Sequence, residues 1–181
     1  MMSKRWAVVI LVMVIFIIAG CGKDGKTTDV QGDGTVKQTA SGEVTDVRTL
    51  LTKAEAEALL GEPVKEPDYQ IKEPMGQQLL FFSAEADTAF RFIQVSVVQN
   101  EGMSESLQSS GYNVTKLYQE TKKMFKDNQL LTGIGDEAFW GTNGLHILKG
   151  NYYINISTGN TENPENLELA KNLAAKVIPR L

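Results

Sequence analysis

The chain has 181 residues, a net charge of −4, one histidine and one cysteine. That length suits one ordinary domain with appendages. Mild acidity without a basic block argues against nucleic acid as a partner, and a single cysteine excludes an internal disulfide framework.

Met1 to Arg5 is short and cationic, Trp6 to Ile18 is uncharged and almost wholly apolar, and Ala19-Gly20 is small. This is the pattern of a secretory leader. The apolar run falls short of the ~20 residues a membrane span needs. The next step, Ile18-Ala19-Gly20-Cys21, resembles the lipobox of bacterial lipoproteins at every position. The resemblance implies that 1–20 is a signal peptide, that cleavage occurs before Cys21, and that its thiol carries a diacylglycerol. The expected address is the extracytoplasmic face of the cell membrane. Each buried lipid methylene contributes ~0.8 kcal/mol, and two chains hold where one is marginal. A lipidated Cys21 leaves no thiol for redox work or metal ligation.

Gly22 to Asp46 is rich in Gly, Thr, Asp and Lys and has no aromatic residue. It cannot bury enough surface to offset its ordering entropy. Residues 21–46 therefore read as lipidated cysteine and flexible tether, and 47–181 as an extracytoplasmic domain. The leader holds Lys4 and Arg5 and no acidic residue, so the remainder is more acidic than the whole. Such a surface is repelled by anionic lipid.

Thr52 with Glu55 is a capping box, and Gly61-Glu62-Pro63 is a stop, which predicts a helix over Lys53 to Leu60. Gln77 to Ala84 and Ala89 to Gln99 read as a strand pair, with a weaker strand at Tyr69 to Lys72. If Phe90 and Phe92 are core residues along with Ile93, Val95 and Val97, a bulge near Arg91–Ile93 must switch the phase. Ser104 to Ser110 reads as a polar connector. Asn113 caps a helix whose apolar stripe is Val114, Leu117, Tyr118, Thr121, Met124 and Phe125. A meander follows at Glu137–Trp140, Leu145–Lys149 and Tyr152–Thr158, split by Asn-Gly and Gly-Asn turns. Tyr152, Ile154 and Ile156 alternate with Tyr153, Asn155 and Ser157, predicting one buried and one wet face. Asn163-Pro164 opens a last helix with the stripe Leu167, Ala170, Leu173, Ala174, Val177, Ile178 and Leu181.

The fold class expected is α+β, a single domain with an antiparallel sheet of about five to six strands and helices on one of its faces. Each half runs helix then strands, which raises a divergent repeat. The segments LLTKAEAEALLGEPV and GIGDEAFWGTNGLHILKGNYYINIS resemble a domain of unknown function in exported lipoproteins of Gram-positive bacteria. That resemblance implies an extracytoplasmic module and brings no catalytic residues.

Chemistry is sparse. His146 has no second histidine or free thiol beside it, so a metal or general-base role lacks partners. It is expected as an exposed or half-buried strand residue. No GxSxG, SxxK, phosphate loop or calcium loop occurs. No metal or cofactor is expected. The candidates for ligand or partner contact are Asp136, Phe139, Trp140 and Tyr153. Together these features favour a non-catalytic binding module for an envelope protein or small ligand, over a cell-envelope hydrolase using carboxylates alone.

Overall fold

The computed structural model describes residues 43–86 and 91–181. The leader, Cys21, most of the tether and Phe90 lie outside the described residues.

Helix α1 (Lys53–Leu60) starts at its capping box, where Thr52 and Glu55 exchange side-chain and backbone bonds. Strands β1 (Asp68–Lys72), β2 (Gln77–Ser83) and β3 (Phe92–Gln99) follow. Then come α2 (Glu105–Ser109), α3 (Val114–Met124), β4 (Gln129–Leu131), β5 (Glu137–Gly141), β6 (Gly144–Lys149), β7 (Tyr152–Ser157) and α4 (Pro164–Val177). The segment read as a polar connector thus contains the single turn of helix α2.

All strands join one antiparallel sheet, ordered β1-β2-β3-β7-β6-β5-β4. The α+β class is as expected, but there are seven strands rather than five to six. The extra one, β4, is a three-residue edge strand paired with Ala138–Trp140. It is too short for alternation to register in the sequence.

One face of the sheet builds the main core. Leu80, Phe82, Ile93, Val95, Leu145, Ile147, Ile154 and Ile156 pack there against Ala56 and Leu60 of α1 and Ala170, Leu173, Ala174 and Val177 of α4. The opposite face is not wet. Val98, Phe139, Leu148 and Tyr153 point to it, and Val114 and Tyr118 of α3 cover them. The expectation of helices on one face is corrected to helices on both. Lysines and glutamate at the α3 surface hid this, because only a narrow stripe of that helix is apolar. Met124, counted in that stripe, is in fact exposed, since the helix ends there.

β3 pairs without a bulge from Phe92 onward. Phe92 lies on the face away from the main core and meets Phe81 with ring centroids 5.5 Å apart. α1 and α3 pack on opposite faces. A rotation that carries one meander onto the other therefore does not carry α1 onto α3, which weighs against the repeat.

Two polar clamps close the domain. Arg180, beyond α4, donates to Glu55 at 2.5 and 2.9 Å and to the carbonyl of Leu50 at 2.9 Å. Ahead of α1, Thr45 is held by Gln78, Gln99 and Tyr152. The folded part therefore reaches at least as far as Thr45, slightly before the expected boundary at Val47.

Candidate functional site

Asp136, Phe139, Trp140 and Tyr153 do not converge on one surface. Asp136 accepts the Gly150 N–H at 2.7 Å and the Lys149 ammonium at 2.9 Å. The Gly150 bond, then the Lys149 bond, hold its carboxyl below the usual range. Gly135 has φ +59°, and a Cβ there would sit 2.6 Å from the Leu148 carbonyl oxygen. The Gly-Ile-Gly-Asp run is thus a clasp on the β6–β7 turn, with glycine required by close backbone approach.

Phe139 is fully buried under α3, its ring 5.5 Å from Tyr118 and stacked 4.5 Å from His146. His146 is buried, not exposed or half-buried as expected. Its Nε2 lies 2.8 Å from the Thr142 carbonyl, which can only accept, so Nε2 carries the proton. Nδ1 then accepts from the Tyr153 hydroxyl at 2.7 Å. Burial pushes the His146 pKa down and that of Tyr153 up to about 12. The three rings form a sealed polar-aromatic stack between sheet and α3.

Trp140 sits in the main core, and its indole N–H donates to the Thr161 carbonyl at 2.9 Å. Thr161 belongs to the β7–α4 connection. The same connection borders a groove of about 900 Å³. Its floor and rim come from Leu59 at the end of α1, Phe92 at the start of β3, the Thr158–Asn160 turn and the first turns of α4. The fold dictates this position. β3 begins and β7 ends at the same end of the sheet, and α4 must reverse direction there to reach the core.

The turn is tightly determined. Asn160 Oδ1 accepts from the Glu162 N–H at 3.0 Å, and Asn163 Oδ1 caps α4 by accepting from Glu165 N–H at 3.0 Å. Asn166 Nδ2 donates to the Asn160 carbonyl at 2.9 Å, and Thr158 Oγ1 donates to the Asn166 carbonyl at 2.8 Å. Arg91 on the rim is occupied by Glu62 at 2.7 Å, and Glu168 by Lys171 at 2.8 Å. Sequence reading missed these asparagines because each passes as an ordinary cap or turn residue. The available signal was their density, four in Gly159–Asn172.

A second, smaller groove of about 470 Å³ runs between β4 and α4, lined by Leu130, Ile134 and Ile178. Among the described residues no cluster of three or more His, Cys, Asp or Glu could hold a metal ion, and no helix is long and apolar enough to cross a membrane. The chain matches no family model, no curated protein and no solved structure.

Proposed function

We propose that this chain is a membrane-anchored extracytoplasmic lipoprotein whose domain binds a ligand non-catalytically in the groove at the start of α4. The observation that carries the binding reading is the groove itself, a concave site of about 900 Å³ on a turn fixed by its own amides. A preformed concavity with few polar groups in fixed positions is the usual form of a small-ligand site.

The non-catalytic reading rests on where the reactive groups are. His146 is sealed beneath α3, and the groove carboxylate Glu168 is ion-paired. Among the described residues the groove's carboxylates are Glu165 and Glu168, both on α4, whereas acid–base hydrolysis uses two carboxylates that flank the scissile bond. The address rests on the resemblance of Ile18 to Cys21 to a lipobox. The fold is compatible with a chain arriving from a tether: Thr45 docks at the Gln99–Tyr152 end of the β3–β7 pair, while the groove lies at its Phe92–Thr158 end. Seven strand residues separate the two ends, ~23 Å at 3.3 Å each.

Hydrogen exchange of the full chain tests the binding claim. Adding a soluble digest of cell-envelope material should slow exchange across residues 158–172 and leave α3 unchanged. Uniform exchange with and without the digest would remove the groove from consideration. For the anchor, Cys21→Ser should abolish incorporation of labelled fatty acid, and retained label would refute it.

A further inference from the structure

Resting on that reading, we infer that the groove takes a neutral, hydroxyl-rich ligand, a saccharide. Charge decides first. The one arginine on the rim, Arg91, is neutralised by Glu62 at 2.7 Å, and Lys171 nearby is neutralised by Glu168 at 2.8 Å. Among the described residues that line the groove no cation is left over for a phosphate or carboxylate ligand, and the Glu165 carboxylate on the rim repels one. The α4 N-terminus is itself already satisfied, with Asn163 as its cap, Pro164 next and Glu165 in the first turn.

The second argument is the kind of polar group offered. Asn160 and Asn163 each spend Oδ1 on the turn. Their Nδ2 groups make no hydrogen bond to any described residue and remain as donors. Asn166 spends Nδ2 on the Asn160 carbonyl and keeps Oδ1 as an acceptor. Asn172 lines the groove with its whole amide uncommitted. A side-chain amide presents donor and acceptor together, which matches adjacent hydroxyls that each donate and accept. Because the Asn160, Asn163 and Asn166 amides are already held by the turn, little of their side-chain entropy is lost on binding.

Third, the apolar part of the groove is discontinuous. Leu59, Leu169 and Pro164 interrupt the amides, and they suit the C–H faces of a sugar ring rather than a long acyl chain. A peptide is the competing neutral ligand. Extended peptides gain affinity by pairing with a free sheet edge, and the two free edges, β1 and β4, are not part of this groove. The volume of about 900 Å³ lies within the range of small-ligand sites.

The test uses the full chain carrying Trp6→Phe, so that Trp140, bonded to the Thr161 carbonyl in the connection that borders the groove, is the only indole. Four probes are titrated: N,N′-diacetylchitobiose, inorganic phosphate, tetralysine and tetra-alanine. Trp140 emission and hydrogen exchange over residues 158–172 are both read. The inference expects saturable binding of the disaccharide alone. It expects at least tenfold weaker binding in Asn172→Ala and none in Asn172→Arg, with unchanged melting because Asn172 is exposed and unbonded. Binding of phosphate, tetralysine or tetra-alanine in the groove, without the disaccharide, would overturn the ligand class and leave the groove as a binding site. No response to any probe by either readout would overturn the saccharide assignment, and the envelope digest would then decide the groove by itself.

Discussion

Thr45 and Gln99 exchange hydrogen bonds as two paired strand residues would. Thr45 N–H donates to Gln99 Oε1 at 2.9 Å, and Gln99 Nε2 donates to the Thr45 carbonyl at 2.8 Å. Gln78 Nε2 donates to the same carbonyl at 2.9 Å, and its Oε1 accepts from Val47 N–H at 3.1 Å. Two buried glutamines thus replace a missing strand and fix the chain where it joins the sheet. Gln99→Leu removes one of these partners and leaves the Thr45 N–H unpaired. It should cost ~1–3 kcal/mol and open the segment before Val47 to proteolysis. An unmoved denaturation midpoint with no new cleavage would show that the clamp is incidental.

His146 makes the domain sensitive to mild acid. Burial depresses its pKa in the folded chain, so the unfolded chain binds the extra proton first. Stability is therefore full above the unfolded value of ~6.5 and falls as pH drops below it, by at most ~1.4 kcal/mol per pH unit for one proton. Protonation would also cost Nδ1 its role as acceptor for the Tyr153 hydroxyl. Urea midpoints measured from pH 7.5 to 5 should decline in the native chain. They should decline less in His146→Gln, which cannot titrate there. Parallel slopes in the two proteins would assign the acid sensitivity elsewhere.

α4 is held along its length, and its two ends differ. Leu173 is fully buried, whereas Ile178 is only half-buried against the main core. Leu173→Ala should cost ~2–5 kcal/mol, a large part of the ~5–15 kcal/mol that stabilises an ordinary domain. Ile178→Ala should cost clearly less. The reverse order in denaturant melts would mean that the last turn, not the middle of α4, carries the docking.

The sequence disclosed the elements well and their packing poorly. Caps and turns carry local signatures, so Thr52, Asn113, Asn163 and the Asn143-Gly144 turn placed both ends of most elements. Alternation in β7 correctly marked Ile154 and Ile156 as core. It could not say that Tyr153 is buried too, because the second cover comes from Tyr118, far away in the chain. His146 was misjudged for the same reason: its partners Thr142 and Tyr153 are visible only once β6 and β7 are paired. The groove was the least legible feature. Its amides are distributed over a turn and a helix face, and nothing in local spacing distinguishes an asparagine that caps from one that also faces a ligand.

The decisive question is whether the groove lies on the outer side of the membrane and is occupied in the cell. Glu165 lines that groove and is exposed, and Lys123 on α3 is exposed away from it. With Cys21 lipidated, Glu165→Cys or Lys123→Cys would be the only free thiol in its chain. A membrane-impermeant maleimide applied to intact cells reads both address and occupancy. An occupied groove outside the membrane requires that both positions label without lysis, and that position 165 labels several-fold more slowly in cells than in the purified chain while position 123 labels equally in both. Labelling that needs lysis, or equal rates at position 165 in cells and in purified protein, would contradict it.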